Sequence, residues 1–378
     1  MILSNALTVG TLAILLLLSR TPTQSSLQVR SGFHHVPGHV PVLGHPRFAS
    51  PRFQRMSCLL GNVHRRTRSL TFSPDSKTLC RPCSELEQSA ILRAGLGPEL
   101  AVAAGYFHTC AVRADGRLVC FGDNNDGQCD VPADLGPVLA IAAGTWHTCA
   151  VRADGRLVCF GDNKYGQCDV PADLGPVLAV AAGGSYTCAV RTDGQLVCFG
   201  EEELGQCCAP PDLGPVLAVA AGFGHTCAVR TDGRLVCFRD RSKAGRSDVP
   251  ADLGPVLTVA AGGFHTCAVR ADGRLVCFGD NNDGQCDVPA DLGPVLAVAA
   301  GILHTCAVRA DGRLVCFGGN NHGQCDAPAD LGPVLAVAAG TYHTCAVQAD
   351  RQLVCFGHSE FGQCDVPDHW EDNIYVQP

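Results

Sequence analysis

An all-β, seven-bladed propeller preceded by a disordered N-terminal leader is the fold this sequence predicts, on three observations. Seven near-identical segments fill residues 96–367. Aligned on a His-Thr-Cys triplet and its variants, they are anchored by Cys110, Cys149, Cys188, Cys227, Cys267, Cys306 and Cys345, at successive spacings of 39, 39, 39, 40, 39 and 39. A constant period of this length marks one supersecondary unit stacked on itself. Each unit is too small to bury a core alone, so its stability must come from its neighbours. Every copy, finally, consists of short apolar runs bounded by Gly and Asp-Gly, which read as strands.

The elements follow in chain order. Residues 6–18 form an apolar run of thirteen, shorter than the roughly twenty residues a membrane span needs. The run suits a signal peptide or signal anchor over residues 1–26, although no Lys or Arg precedes it and no Ala-x-Ala follows. Residues 27–95 read as a basic, acid-poor, disordered leader; this composition also suits an organelle-targeting segment. Residues 1–95 carry eleven Arg or Lys against three acids, while residues 96–378 carry seventeen against thirty-three. An acidic repeat body lacks the basic footprint of a nucleic-acid binder, so no nucleic acid is expected as partner.

The first copy shows how a blade is built. Leu100-Ala-Val-Ala-Ala104 is a first strand ended by Gly105, His108-Thr-Cys-Ala-Val112 a second, and Arg117-Leu-Val-Cys-Phe121 a third. A three-residue hairpin loop Ala114-Asp115-Gly116, with Gly116 left-handed, would set Cys110 across from Cys120 and Val112 across from Leu118. Asp130-Val-Pro and Asp134-Leu-Gly-Pro137 are turn-rich and lead into the next copy. A C-terminal tail, residues 368–378, follows the last one.

The pattern A-A-G-x-x-H-T-C-A-V-x-x-D-G-x-L-V-C-F-G-x-N-x-x-G-Q resembles the repeat of the RCC1 (regulator of chromosome condensation) family, in its short-repeat, three-stranded form. The resemblance implies a closed propeller, and a packed, hydrogen-bonded role for the histidine. Three copies depart from the pattern. The third has Tyr186 for the histidine; the fourth reads Arg239-Asp-Arg-Ser-Lys-Ala244 and then Gly245-Arg-Ser247; the seventh reads Asp350-Arg351 for Asp-Gly, which predicts a less regular hairpin.

Twenty-four cysteines divide into fourteen hairpin positions, seven near the Gly-Gln step, and Cys58, Cys80 and Cys83 in the leader. The hairpin pairs are Cys110/Cys120, Cys149/Cys159, Cys188/Cys198, Cys227/Cys237, Cys267/Cys277, Cys306/Cys316 and Cys345/Cys355. They read either as cross-strand disulfides, in keeping with a secretory route, or as pairs of small buried thiols. A zinc set of His108, Cys110, Cys120 and Cys129 is disfavoured: the third copy lacks the histidine, the fourth has Ser247, and the spacing lacks the close ligand pairs of zinc sites. No metal and no cofactor are expected. The Asp123-Asn-Asn-Asp-Gly127 loop lacks EF-hand spacing and reads as a turn.

Function should sit where the copies differ. One variable pair precedes the histidine, from Tyr106-Phe107 in the first copy to Thr341-Tyr342 in the seventh. Another follows the third strand, from Asn125-Asp126 to Glu360-Phe361, and includes Lys164-Tyr165, Glu203-Leu204 and Ser242-Lys243. Strand direction places both on one face and the uniform Asp-Gly turns on the other. Tyr106, Phe107, Trp146, Lys164, Tyr165, Phe223, Phe264, Leu303, Tyr342 and Phe361 are therefore the candidate partner-binding residues, arranged in a ring. The competing arrangement folds these aromatics inward to plug a central channel.

The expected function is that of a non-catalytic, monomeric module of the secretory pathway that binds an unidentified protein, with no membrane insertion by the propeller. A membrane-anchored or organelle-targeted form is the alternative address. The family resemblance raises two alternative roles. One is guanine-nucleotide exchange on a small GTPase. The other is an adaptor related to RCC1-repeat ubiquitin ligases, whose catalytic HECT domain finds no counterpart in the short tail. No nucleophile–base–orienter set is visible, so no enzymatic activity is expected.

Overall fold

A computed structural model describes residues 101–203, 205–238 and 245–368. The signal-like segment, the basic leader with Cys58, Cys80 and Cys83, Leu204, the 239–244 loop of the fourth copy with Ser242 and Lys243, and tail residues 369–378 lie outside them. Among the described residues no helix is long and apolar enough to cross a membrane.

Among the described residues, twenty-one strands form seven three-stranded antiparallel sheets, each made from consecutive strands. Blade one comprises β1 (Val102–Ala104), β2 (His108–Val112) and β3 (Leu118–Gly122), and the later copies repeat it. The hairpin has the predicted register: Cys110 opposes Cys120, Val112 opposes Leu118, and Gly116 has φ of 82°. The middle strand is wholly buried in blade one. Its Cys-Ala-Val faces pack on the neighbouring blades, and one continuous core joins Val112 and Leu118 to Val138 and Ile141 of blade two and Ala336 and Val347 of blade seven. Neighbour-on-neighbour burial thus holds the sheets together, as a repeat too small for its own core requires.

Inner strands surround the axis, where alanines such as Ala103, Ala142, Ala260 and Ala338 line a narrow cavity. Small side chains are needed because seven strands converge there. The glycine that ends each inner strand is under a tighter constraint. A Cβ at Gly144 would stand 2.6 Å from the carbonyl oxygen of Gly183 in the next blade and against the His147 ring. Gly144→Ala is therefore expected to cost about 1–3 kcal/mol through overpacking, read as a lower melting temperature. An unchanged transition would mean that the blades are not this closely apposed.

The ring closes without a special device. Thr109 in blade one meets His343 of blade seven at 2.9 Å and donates to the Gln363 carbonyl at 2.8 Å, the contacts that join blade one to blade two as well. Six inner strands start with a register shift, as between Val138 and Ala140. The shift turns residues such as Leu139 and Leu335 out to solvent, each 55% exposed.

The seventh hairpin corrects one expectation. Although Arg351 replaces glycine, it adopts the same left-handed backbone, with φ of 77°. The loop keeps its hydrogen bonds: Arg351 N–H to the Gln348 carbonyl at 2.9 Å and Gln348 N–H to the Gln352 carbonyl at 2.8 Å. Strand pairing on both sides imposes the turn, and the non-glycine residue takes the strain. Arg351→Gly is expected to stabilise the protein by about 1 kcal/mol, measured by chemical denaturation; a destabilised variant would contradict this.

Candidate functional site

Most blades are pinned to the next by a histidine–threonine link. His108 Nε2 lies 3.0 Å from Thr148 Oγ1, and that hydroxyl donates to the Gln128 carbonyl at 2.8 Å. The threonine proton is thereby committed, so the imidazole must donate from Nε2. Burial pushes the pKa values of His108, His304 and His343 down to about 3, and those of His147 and His265 down to about 4. In blade three Tyr186 replaces the histidine, and its hydroxyl donates to the His225 carbonyl at 2.5 Å. These rings are structural pins sealed from solvent.

All seven hairpin pairs are disulfides: Cys110–Cys120, Cys149–Cys159, Cys188–Cys198, Cys227–Cys237, Cys267–Cys277, Cys306–Cys316 and Cys345–Cys355. Their Cα atoms stand 4.0–4.1 Å apart, as directly opposed residues of a non-hydrogen-bonded antiparallel pair do. With Cys110 and Cys120 bonded to each other, neither is a thiolate ligand for zinc. The Gly-Gln cysteines are free thiols. Cys129 Sγ donates to the Asp123 carbonyl at 3.4 Å, and burial, with Asp123 and Asp130 nearby, pushes its pKa up to about 12. Cys168 and Cys207 are likewise raised to about 12, and Cys286, Cys325 and Cys364 to about 11, burial being the leading cause in each. Such thiols are poor nucleophiles.

The Asp123–Gly127 loop is a self-satisfied turn. The Asp123 carboxylate accepts from Gln128 Nε2 at 2.9 Å and Asn125 Nδ2 at 2.5 Å, while Asn124 Nδ2 donates to Asp130. Its backbone also joins the two variable segments, since Asp123 N–H donates to the Phe107 carbonyl at 2.8 Å. The same link runs from Asp162 to Trp146 and from His358 to Tyr342. Both variable segments therefore crown one face.

On that face the aromatics form two groups instead of an even ring. The larger spans blades seven, one and two. Phe107 is its hub, 4.3 Å from Tyr106, 6.2 Å from Trp146, 6.5 Å from Tyr342 and 4.6 Å from Phe361 between ring centroids. The smaller pairs Phe223 with Phe264 at 6.4 Å, and the Arg246 guanidinium sits 5.6 Å from the Phe264 centroid. Gly184-Ser185 in blade three leave a gap between the groups. Tyr165 stands apart and is 54% exposed, while Phe361 is 42% exposed. Lys164 Nζ bridges Asp162 at 3.4 Å and Asp126 at 3.7 Å. Leu303, half-buried, packs over Gly319 in blade six.

The inward-plug arrangement holds for half of one variable pair. Tyr106, Phe223 and Ile302, the first members, line the mouth of the central channel, whereas Phe107, Trp146, Phe264, Leu303 and Tyr342 do not. Two further rings join the larger group without standing among the sequence-predicted site residues. His322 lies 4.6 Å from Tyr342, and His358 5.0 Å from His322 and 5.9 Å from Phe107. The signal for His358 is its own departure from the repeat, since Gly357-His358-Ser359 stands where four other copies read Gly-Asp-Asn or Gly-Gly-Asn. Arg246 is legible in the same way, replacing the glutamine of the other six copies.

Comparison with known proteins places this geometry. The chain is similar to the CRINKLY WD40 ectodomain of the Arabidopsis thaliana receptor kinase ACR4, at 24% identity and a TM-score of 0.57, over 68% of this chain and 97% of that one. The ectodomain of the Physcomitrella patens receptor kinase CR4 gives 23% and 0.59 over 68% and 73%. A chain from the complex of Kap60 with yeast RCC1 (Prp20) gives 15% and 0.59 over 78% and 87%. At these identities the likeness is one of fold. No curated protein matches the chain by sequence. The Regulator of chromosome condensation (RCC1) repeat matches residues 100–128, 138–167, 177–206, 216–238, 256–285, 295–324 and 334–363, once in every blade. The chain is therefore a member of the RCC1 repeat family.

Proposed function

We propose that this propeller is a non-catalytic interaction module of an oxidising, secretory-route compartment, and that its variable face binds a protein partner. The contiguous aromatic group of Tyr106, Phe107, Trp146, Tyr342 and Phe361 carries the reading. It is drawn entirely from positions that differ between otherwise uniform copies. Clustered aromatics on a rigid frame are what protein-binding hot spots are made of. Seven disulfides support the compartment, because reducing cytosol does not sustain them. The non-catalytic reading is supported by the chemistry: the recurrent histidines are buried and hydrogen-bonded with lowered pKa values, and burial raises the pKa values of Cys129, Cys168, Cys207, Cys286, Cys325 and Cys364.

The test uses the full chain, immobilised, against secreted and cell-surface protein. Trp146→Ala and Tyr342→Ala are each expected to weaken capture of one and the same partner by about thirtyfold, roughly 2 kcal/mol, with the melting transition retained. Capture that both variants leave unchanged would overturn the reading.

A further inference from the structure

We infer that the larger aromatic group seats an arginine side chain from a basic segment of the partner protein, an inference that rests on the binding-face reading above. Tyr106, Phe107 and Trp146 offer ring faces 4.3–6.2 Å apart between centroids, and ring faces attract cations. Acid-bearing loops are tied by backbone to the same segments. Asp123 and Asp162 hold the Phe107 and Trp146 carbonyls through their own N–H groups, both at 2.8 Å.

The acids of these loops already hold a cation. Lys164, its side chain 73% exposed, lies within 3.4 Å of Asp162 and 3.7 Å of Asp126. Its ammonium is held by the acids at the rim, and the rings remain for a second cation. The smaller aromatic group shows how the face takes a guanidinium. Arg246 lies over Phe264 at 5.6 Å while its Nη1 donates to the Gly263 carbonyl at 2.7 Å. A planar guanidinium stacks on a ring and still donates at its edge, which an ammonium cannot do.

Charge complementarity selects a basic partner. Around the larger aromatic group, the loops after the third strands of blades seven, one and two carry Glu360, Asp123, Asp126 and Asp162 against Lys164; the fourth copy's loop, basic in sequence with Arg239, Arg241 and Lys243 against Asp240, belongs to another blade. Such a field attracts an arginine-bearing segment and repels an acidic one.

Calorimetric titration of the full chain with end-capped hexa-arginine and hexa-glutamate peptides tests the inference. Hexa-arginine is expected to bind saturably and hexa-glutamate not at all. Trp146→Leu keeps apolar bulk but removes the ring, and should weaken hexa-arginine binding about fivefold. Lys164→Ala, which releases Asp126 and Asp162, should tighten it severalfold. No binding of hexa-arginine, or binding that Trp146→Leu leaves unchanged, overturns the arginine seat. If that happens while Trp146→Ala and Tyr342→Ala still weaken partner capture, the binding face stands and only its chemistry is wrong; if both variants leave capture unchanged, the face reading falls as well.

Discussion

Refolding the chain with its seven hairpin disulfides reduced is expected to fail. Each bond closes a loop of about eleven residues, and the loss of unfolded-chain entropy on closing such a loop stabilises a protein by about 2–3 kcal/mol. Seven together exceed the roughly 5–15 kcal/mol net stability of ordinary domains. Circular dichroism after dilution from denaturant in dithiothreitol should show no cooperative transition, whereas the oxidised chain melts as a unit. A single pair replaced, Cys149→Ala with Cys159→Ala, should lower the melting temperature by roughly 5–10 °C. The sulfurs bridge the middle and outer strands of each blade, so each bond fixes the hairpin that the next blade packs against. A reduced chain that refolds with wild-type stability would show that neighbour packing alone suffices.

Acid is the second lever. His108, His147, His265, His304 and His343 have native pKa values of about 3–4, against about 6.5 in an unfolded chain. Below pH 6.5 the unfolded state therefore binds more protons than the native state, and stability falls as pH falls. The contribution is complete above pH 6.5 and is lost progressively down to about pH 3–4. At pH 5 each histidine accounts for about 2 kcal/mol of destabilisation, and five together rival the net stability of a domain. Denaturant titrations at pH 7 and pH 5 should show this loss, and His304→Tyr, which copies the Tyr186 solution of blade three, should reduce the slope by about 1.4 kcal/mol per pH unit. A stability that is flat between pH 7 and pH 5 would mean that the rings are not buried neutral pins.

What the sequence disclosed and what it withheld divide along a physical line. Period, hairpin register and cysteine opposition are local: Cys110 meets Cys120 because three loop residues and a left-handed Gly116 determine which residues oppose. The shared face of the two variable segments follows from strand direction alone, and it too was legible. Arrangement around the axis was not. Tyr106 turns to the channel mouth while Phe107 becomes a hub, a distinction between adjacent residues that only the assembled ring reveals. The even ring became two groups because Gly184-Ser185 in blade three and Ile302-Leu303 in blade six interrupt it. His358 joined the patch as a departure from the repeat that a search for aromatics alone passes over. Arg351 shows tertiary pairing overriding local preference, since the strands on either side dictate a turn its side chain disfavours.

The account turns on a ring stapled hairpin by hairpin and used outside the reducing cytosol. Peptide mapping by mass spectrometry, under alkylating conditions, of protein taken from its native compartment tests this most directly. Seven linked pairs are predicted, each ten residues apart, from Cys110–Cys120 to Cys345–Cys355, with Cys129, Cys168, Cys286, Cys325 and Cys364 alkylated as thiols. Hairpin cysteines recovered reduced, or joined to the Gly-Gln thiols instead, would contradict it.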